Sequence, residues 1–440
     1  MGGHALNREL TFDQEQIATA VKSRRDWAIN ALSQLVRQPT VLGKEELGQR
    51  VVASLFEDLQ MEVKIEKIKL DEIKDKPGFG PTDWQLEGKH NVVGIHNPGD
   101  DFGRSLIFNG HIDVVSPEPT KLWSSPPFGP RVVHNEEDGE TWMYGRGAGD
   151  MKGGTIGYLW ALKALQDLGV EPASKVICQS VVEEECTGNG ALSLLEKGYR
   201  ADAAIIPEPF NETIIKAQVG VLWFRVRVLG MTTHVLGAGE GVNAIEKSVK
   251  IMQALRMLEA EINEPDNIPD SYKGIEHPIN LNVGTINGGD WQSTVAGECV
   301  TGYRIGTFPG ENLSVVMDRV EEHVASVADD DPWLKENPPQ VEWVGFRAEG
   351  CVFDTDSELG KTLRNAHKQW RGNEPEQLRC TATTDIRFFN LYYDIPATCY
   401  GPKAQRIHAV DEKVSIDSIE RIAEVMCSFI QDWCKLRKRA

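Results

Sequence analysis

The sequence lacks any run of apolar residues long enough to cross a lipid bilayer, and it has no Cys-x-x-Cys pair. Its first ten residues also lack the apolar core of a secretory signal peptide. Scattered cysteines of this kind are typical of small buried residues in a reducing cytosol, and not of a disulfide framework or a thiolate zinc site. We therefore expect a cytoplasmic protein without a membrane partner. The 8 cysteines are Cys178, Cys186, Cys299, Cys351, Cys380, Cys399, Cys427 and Cys434.

The chain also has fewer basic than acidic side chains. The chain carries 47 Lys and Arg against 66 Asp and Glu, which gives a formal net charge of -19. This excess disfavours nucleic acid and anionic membranes as partners. A small anionic substrate stays compatible, because a bound divalent cation and a local arginine set the field inside a site. We expect a small-molecule substrate.

Strand and helix patterns alternate along the first half of the chain. An apolar strand leads into residue 111, and further strands are predicted at 175–182 and 203–206, with helices at 155–168 and 190–197. This order predicts an α/β fold with a mixed, largely parallel sheet flanked by helices. In such sheets the chemistry lies at the carboxyl ends of the strands.

The pattern changes in the middle of the chain. Residues 219–346 follow the order β-α-β-β-α-β, the split arrangement of a small ferredoxin-like domain. The segment after it returns to the earlier style. We therefore predict a discontinuous catalytic domain formed by residues 1–216 and 348–440, with residues 217–347 inserted as a lid.

The stretch 109–154 carries the first candidate site residues. His111 and Asp113 lie two residues apart at a strand end, so their side chains point to one face. The Asp113 carboxylate can then accept a hydrogen bond from one imidazole nitrogen and leave the other nitrogen free for a metal. Asp150 follows within G-R-G-A-G-D-M-K-G-G, whose glycines let the backbone pass close to a ligand. Either motif alone would indicate an ordinary strand end or turn.

More carboxylates and a second imidazole follow later strands. The run Glu183–Glu185 continues directly from an apolar strand, and adjacent side chains there point opposite ways, so one can bind a metal while its neighbour faces the substrate. Glu208 stands between two prolines after another strand, and His408 lies on a loop after the strand 397–400. Two imidazoles and three carboxylates without a thiolate suit Zn, Mn or Co. A bridging carboxylate such as Asp150 suits two ions, and a further carboxylate would shuttle the proton.

Together these motifs resemble the zinc amidohydrolase and peptidase family of acetylornithine deacetylase, succinyl-diaminopimelate desuccinylase, aminoacylase and carboxypeptidase G. The family pattern is G-H-x-D-V-V, G-R-G-x-x-D-M-K-G-G, E-E at a strand end, E-P and a late histidine, and all of it is present. The resemblance covers nearly the whole chain. The segments A-Q-V-G-V-L-W-F-R-V-R-V and E-E-E-C-T-G-N-G-A look closest to the acetylornithine deacetylase and formylaminopyrimidine deformylase-like branch.

The resemblance implies a role for each of these residues. Asp113 would orient His111, and Glu184 would be the general base and acid. The pair of base and metal ligand could be Glu183 and Glu184 or Glu184 and Glu185. We prefer Glu184 and Glu185, because this pair keeps the family's spacing to Gly190. One or two divalent ions, zinc above all, with manganese or cobalt as alternatives, would be held by His111 with Glu208, by Glu185 with His408, and by Asp150 between them.

The resemblance also implies roles for the lid, which in this family commonly forms the dimer interface, so we expect a homodimer. His234, in G-M-T-T-H, resembles the histidine that stabilises the oxyanion, often from the partner subunit. Arg304, in G-Y-R-I-G, resembles the lid arginine that meets a substrate carboxylate, where a planar fork suits bidentate contact. Arg387, in T-D-I-R, is a second candidate for substrate binding.

The sequence thus predicts a metal-dependent amidohydrolase that cleaves a C–N bond of a small amino compound with metal-activated water and Glu184 as general base. The preferred reaction removes an acetyl- or formyl-type N-acyl group, as in acetylornithine deacetylase. The alternatives on the same metal centre are a dipeptidase or carboxypeptidase, and a hydrolytic deaminase of an aromatic or heterocyclic amine. A non-catalytic binding protein is disfavoured, because neither a ligand nor the base is missing.

Overall fold

The fold is taken from a computed structural model, which describes residues 10–99 and 102–439. In this part of the chain, no helix combines the length and the apolar character needed to cross a bilayer. The strands are β1 (Glu62–Lys67), β2 (His90–His96), β3 (Leu106–His111), β4 (Arg131–Asn135), β5 (Glu140–Tyr144), β6 (Val170–Pro172), β7 (Val176–Val181), β8 (Ala204–Ile206), β9 (Ile214–Gln218), β10 (Gly220–Leu229), β11 (Leu281–Gly288), β12 (Glu298–Thr307), β13 (Gln340–Ala348), β14 (Cys351–Val352), β15 (Gln377–Cys380), β16 (Ala397–Cys399), β17 (Ala404–Gln405), β18 (Lys413–Ser415) and β19 (Leu436–Lys438).

Helices flank these strands, and short helical turns connect some of them. The turns are 3₁₀-helical at Thr120–Leu122 and Val235–Glu240 and π-helical at Ala148–Gly153. The α-helices are α1 (Gln14–Ser23), α2 (Arg25–Val36), α3 (Glu46–Asp58), α4 (Leu70–Ile73), α5 (Gly154–Asp167), α6 (Asn189–Glu196), α7 (Ala244–Ile262), α8 (Leu313–Ser326), α9 (Pro332–Glu336), α10 (Glu358–Arg371), α11 (Ile386–Tyr392) and α12 (Ile416–Trp433).

The largest sheet has the strand order β1-β2-β7-β3-β8-β16. Strands β7, β3, β8 and β16 are parallel to one another, β2 pairs antiparallel with β7, and β1 pairs antiparallel with β2. Every residue of β3 and β7 is buried, which explains why both strands begin with three consecutive apolar residues and do not alternate with polar ones. Helices α5 and α12 pack against each other beside this sheet. The predicted mixed, largely parallel α/β fold is confirmed.

A second sheet, with the order β11-β12-β10-β13, is antiparallel throughout. Its elements follow the order β10-α7-β11-β12-α8-α9-β13, and residues of α7 and α8 share a hydrophobic core with one face of the sheet. On its other face, Trp223 packs against a small buried cluster of Val221, Phe346 and Ala348. This helix-free face is the part of the sheet that adjoins the candidate site.

The chain passes between the two sheets through paired strands. Strand β9 pairs with β14 antiparallel and with β15 parallel, and together they form a three-stranded sheet. The sequence did not predict this sheet, because β14 has two residues and β15 four, too few for a periodic pattern. The domain boundaries at 217 and 347 stay a prediction, and both fall within strands.

Candidate metal centre

The largest sheet brings the candidate residues together at the carboxyl ends of its parallel strands. His111 is the last residue of β3 and lies opposite Val181, the last residue of β7. The Glu183–Glu185 run therefore begins beside His111, and Glu208 follows β8, the neighbour of β3 on its other side. The loop between β17 and β18 carries His408 to the same edge.

Asp150 lies at the middle of this group, in the turn before α5, where its own backbone is not helical (φ -104°, ψ 98°). Its Oδ1 atom is 3.2 Å from Nε2 of His111, and its Oδ2 atom is 3.3 Å from Nε2 of His408. The two carboxylate oxygens thus face two different imidazoles. This is the arrangement expected of a carboxylate that bridges two ions.

Further carboxylates surround each imidazole. Nε2 of His111 lies 3.8 Å from Oε2 of Glu184 and 3.9 Å from Oε1 of Glu208. Nε2 of His408 lies 3.0 Å from Oε2 of Glu185. Two ligands on one tetrahedral zinc ion are about 3.4 Å apart, so these separations are close to the spacing of atoms that share an ion. The groups His111, Asp150, Glu185 and His111, Glu184, Glu208 each have ligand atoms within 4.8 Å of one another.

The orientation of His111 depends on the backbone of Asp113. Nδ1 of His111 lies 2.8 Å from the carbonyl oxygen of Asp113 and 3.8 Å from its carboxylate Oδ1. A proton on Nδ1 is donated to that carbonyl, which leaves Nε2 free to bind a metal. The Asp113 carboxylate instead accepts the backbone N–H of Glu185 at 3.1 Å. Asp113 therefore contacts His111 through its main chain and the acidic loop through its side chain.

The site carries more negative than positive charge. Burial raises the pKa of Glu184 and of Glu208 well above the ordinary carboxylate value, and it raises the pKa of Asp113 to about 7. The charge of Glu185 is the main cause that raises the pKa of His408 to about 11. Among the described residues, Oδ1 of Asp113 is buried without a hydrogen-bond partner. Oxygen and imidazole donors crowded in this way fit a divalent cation, which relieves their mutual repulsion.

Glu183 lies away from this centre. Its side chain is fully buried, forms an ion pair with Lys89, and accepts the indole N–H of Trp84 at 3.1 Å. Because Glu183 is occupied in this way, Glu184 and Glu185 are the members of the run that lie beside the two imidazoles.

Sequence reasoning missed Glu412, which supports the Asp150 turn. Its buried carboxylate accepts the backbone N–H groups of Gly147, Gly149 and Asp150 at 2.9 to 3.0 Å, and Nη1 of Arg146 donates to it at 2.6 Å. Nothing in the local sequence D-E-K-V distinguishes Glu412 from a solvated loop residue. Its spacing of four residues from His408 is the only signal that sequence offered.

Sequence reasoning also missed Asp385. It is 1% exposed, and within the described part of the chain neither of its carboxylate oxygens has a hydrogen-bond partner. Burial raises its pKa to about 6. Its charge acts on both Glu184 and Glu208, so it belongs to the same electrostatic group.

A cavity of about 440 Å³ lies between the metal centre and the helix-free face of the second sheet. Arg304 lines it and donates to the carbonyl oxygens of Asn280 and Thr381 at 3.1 and 3.2 Å. The lining residues are Trp84, Glu184, Glu185, Val221, Trp223, Phe224, Arg225, Asn282, Gly284, Thr285, Gly302, Tyr303, Arg304, Val344, Phe346, Ala382, Thr383 and His408.

The histidine predicted to stabilise the oxyanion and the second arginine predicted to bind substrate do not line this cavity. Arg387 is fully buried, donates to the carbonyl oxygen of Thr187 at 2.6 Å, and lies 3.6 Å from Asp385. His234 is exposed on the loop after β10, where its Nδ1 accepts the backbone N–H of Leu236 at 3.0 Å. Among the described residues, neither side chain forms a hydrogen bond or ion pair with His111, Asp150, Glu185, Glu208 or His408.

Comparisons with known proteins agree with this geometry. The model of peptidase family M20/M25/M40 matches residues 107–432. An N-formyl-4-amino-5-aminomethyl-2-methylpyrimidine deformylase of Halalkalibacterium halodurans is 32% identical over 354 residues, which cover 76% of this chain and 80% of the relative. A deformylase of the same name from Bacillus subtilis is 31% identical over 385 residues, which cover 82% of this chain and 87% of the relative.

Solved structures share the fold at much lower identity. The dipeptidase Dug1p of Saccharomyces cerevisiae superposes with a TM-score of 0.78 at 16% identity, covering 96% of this chain and 98% of that chain. Family model, relatives and fold together confirm the resemblance that the motifs predicted. The chain belongs to peptidase family M20/M25/M40 and is a metal-dependent hydrolase that acts on C–N bonds.

Proposed function

We propose that this protein is an N-acyl deacylase that removes a formyl- or acetyl-type group from a small amino compound. The observation that carries the proposal is the pair of contacts made by Asp150, one carboxylate oxygen toward His111 and the other toward His408. The two deformylase relatives act on an N-formyl group, which supports this class of reaction.

We assign the metal ligands from these contacts. His111 and Glu208 would hold one ion, Glu185 and His408 the other, and Asp150 would bridge them. Oxygen and imidazole donors without a thiolate favour zinc, with manganese or cobalt as alternatives. When bound, such ions polarise the scissile carbonyl and lower the pKa of water.

Glu184 is the proposed general base and acid. It lines the cavity and reaches within 3.8 Å of His111, whereas its neighbours in the acidic run have other partners, Glu183 the ammonium of Lys89 and Glu185 the imidazole of His408. In this position its carboxylate takes a proton from the attacking water and returns it to the leaving nitrogen. Asp113 supports the reaction by fixing His111 through its carbonyl oxygen.

Arg304 is the proposed substrate-binding residue. Two of its N–H groups donate to backbone carbonyls, and a guanidinium has five N–H donors, so others remain for an acceptor on the substrate. Because Arg387 is fully buried, we do not include it among the substrate contacts.

A homodimer formed through the second sheet is also proposed. His234 lies among exposed apolar side chains, with Leu236 93%, Trp291 68% and Val235 48% exposed. A second copy that covers these side chains would bring His234 to its partner's cavity, where an imidazole can donate to the oxyanion. Light scattering on the purified protein tests the dimer, and a monomer at micromolar concentration would contradict it.

The cytoplasm is the proposed location. In the described part of the chain the eight cysteines are all free and buried. Thiols that stay unpaired are typical of a reducing compartment.

A dipeptidase is the second candidate, because Arg304 in the cavity could also receive the terminal carboxylate of a peptide. A panel of N-formyl amines, N-acetyl amino acids and dipeptides, scored by product, separates the two functions. Turnover of dipeptides alone would favour the peptidase.

The mechanism is tested by removing the base and the metal separately. Dialysis against a chelator should abolish turnover, and zinc should restore it. Glu184→Gln should lower kcat at least about 10³-fold while the variant keeps its bound metal, as measured by elemental analysis. Glu137→Gln, in the exposed turn after β4, is the matched control. Wild-type turnover by Glu184→Gln would refute the assignment of the base.

A further inference from the structure

The hairpin loop that carries His408 has a strained backbone. Strands β17 and β18 pair antiparallel and leave residues 406–412 as the loop between them. Three residues of this loop, none of them glycine, have positive φ angles: Arg406 at 61°, His408 at 60° and Asp411 at 56°. Left-handed backbone is costly for a residue with a side chain, and it persists only where surrounding contacts hold it. The loop therefore depends on its neighbours for its shape.

The imidazole of His408 takes its position from this backbone. Its side chain is 52% exposed and contacts Glu185 and Asp150 through Nε2, the atom proposed to bind an ion. In the described part of the chain, Nδ1 of His408 has no hydrogen-bond partner, whereas Nδ1 of His111 donates to a backbone carbonyl. Metal-binding imidazoles are usually oriented through their second nitrogen. At His408 the loop must supply that orientation.

Asp411 ties the loop to the segment between β3 and β4. Its Oδ1 atom accepts the backbone N–H of Ser124 at 2.8 Å and the hydroxyl of the same serine at 2.9 Å. Its Oδ2 atom lies 4.0 Å from Nη1 of Arg406, at the other end of the loop. The Asp411 side chain is 18% exposed, so these contacts are partly shielded from water. A charged acceptor also makes stronger hydrogen bonds than a neutral one.

Ser124 is a firm anchor because its own segment is held in place. The indole N–H of the neighbouring Trp123 donates to the carbonyl oxygen of Pro117 at 2.8 Å, and the guanidinium of Arg146 lies 5.2 Å from the centroid of the Trp123 ring. Arg146 is itself fixed by its buried ion pair with Glu412. A segment fixed in this way can hold a loop that would otherwise relax.

We propose that Asp411 and Ser124 are a positioning pair, which holds His408 where its imidazole can bind the ion shared with Glu185. Without the pair, the loop would relax toward ordinary backbone angles and withdraw the imidazole from the metal centre. The inference rests on the metal ligands assigned with the proposed function, and it adds the residues that hold one of those ligands.

A zinc titration of the full-length protein against a chromophoric chelator, resolved into one dissociation constant for each ion, tests the pair. Asp411→Ala removes the acceptor, and we expect it to weaken the binding of one ion about 10- to 100-fold and to leave the other unchanged. Asp411→Asn keeps an acceptor at Oδ1, and asparagine tolerates positive φ, so its loss should stay within about 3-fold.

Asp202→Ala is the matched control. Asp202 accepts the backbone N–H and the hydroxyl of Ser105, both at 2.7 Å, in the same pattern as Asp411 and Ser124. Ser105 precedes β3, whose opposite end carries His111. This variant loses the same two hydrogen bonds away from the metal centre, so it should bind both ions as the wild type does.

A double variant shows whether the effect passes through His408. His408→Ala should keep one tightly bound zinc ion, and the addition of Asp411→Ala should leave the dissociation constant of that ion unchanged. A residue that only supports the fold would weaken the remaining ion as well. The thermal midpoint of each zinc-free variant checks that it is folded.

The outcomes separate the positioning pair from the ligand assignment. Wild-type affinity in Asp411→Ala, an equal loss at both ions, a loss in Asp411→Asn as large as in Asp411→Ala, or a further loss in the double variant would overturn the pair. In each case the ligand assignment stands if His408→Ala loses one ion. Two ions bound by His408→Ala with wild-type affinity would refute the assignment of His408 and the inference with it.

Discussion

Replacing Glu412 by glutamine tests whether this buried carboxylate holds the Asp150 turn. The side chains of Glu412 and Arg146 are 1% and 2% exposed, so the pair is shielded from water. Glutamine has nearly the same shape, but its amide presents one donor where the carboxylate has only acceptors. The substitution leaves Arg146 without a counter-charge and sets N–H groups against each other.

The size of the effect follows from these contacts. Removing one partner of a buried ion pair costs about 3–5 kcal/mol. Glu412 also accepts the backbone N–H groups of Gly149 and Asp150, so its loss loosens the residue proposed to bridge the ions. Supporting contacts of metal ligands typically change metal affinity about 10- to 100-fold. We expect both losses in Glu412→Gln.

Urea unfolding and zinc competition with a chromophoric chelator measure the two losses. Glu298→Gln is the matched control, because Glu298 pairs with Arg227 while 51% of its side chain is exposed. That variant should lose less than about 1 kcal/mol and bind zinc as the wild type does. If Glu412→Gln stays within about 1 kcal/mol of the wild type or keeps its zinc affinity, Glu412 does not support the turn.

Three further predictions concern a helix cap, a close contact and the substrate. Asp331 caps the N-terminus of α9, where its carboxylate accepts the backbone N–H groups of Trp333 and Leu334 at 3.2 Å. Burial raises the pKa of Asp331, but hydrogen bonds from two lysines of α7 lower it overall, so its stabilisation is complete above about pH 4 and is lost progressively as the pH falls further. Asp331→Ala should cost about 1–2 kcal/mol at neutral pH by urea unfolding, and a loss that grows in acid would contradict the sign. A Cβ on Gly154 would lie 1.8 Å from a backbone carbonyl oxygen of the loop after β8, so Gly154→Ala should lose about 3 kcal/mol, whereas Gly239→Ala, in open space, should be neutral. Arg304→Lys should raise KM about tenfold for an anionic substrate, and a fall in kcat alone would argue against a binding role.

The strand ends of the site were predictable from sequence. His111 and Glu208 follow apolar runs too short for buried helices, and parallel strands end at one edge of a sheet, so their convergence follows from the fold class. The sequence did not decide whether Glu183 and Glu184 or Glu184 and Glu185 belong to the metal centre. Alternation along a strand does not tell which of the three glutamates is buried away from it. That depends on Lys89 and Trp84, which reach Glu183 from the loop before β2.

Contacts made by irregular segments were not predictable. Glu412 acts on a turn more than 260 residues earlier in the chain, and no local pattern encodes such a contact. His111 donates its Nδ1–H to the carbonyl oxygen of Asp113, although the residue types suggested the Asp113 carboxylate as the acceptor. Arg387 stands in a motif typical of substrate loops, yet its neighbours bury it completely. The role proposed for His234 requires a second copy of the chain, and one sequence does not show how two copies associate.

The two walls of the cavity, the metal centre and the second sheet, come from separate stretches of the chain. The loop after β7 supplies Glu184 and Glu185, and the loop between β17 and β18 supplies the imidazole of His408. Strands β10 to β13 supply Trp223, Arg304 and Phe346. Substitutions in β10 to β13 therefore do not alter the residues of the metal centre. New substrates are therefore accessible to evolution or to protein engineering by changing one antiparallel sheet, while the hydrolytic chemistry is inherited intact.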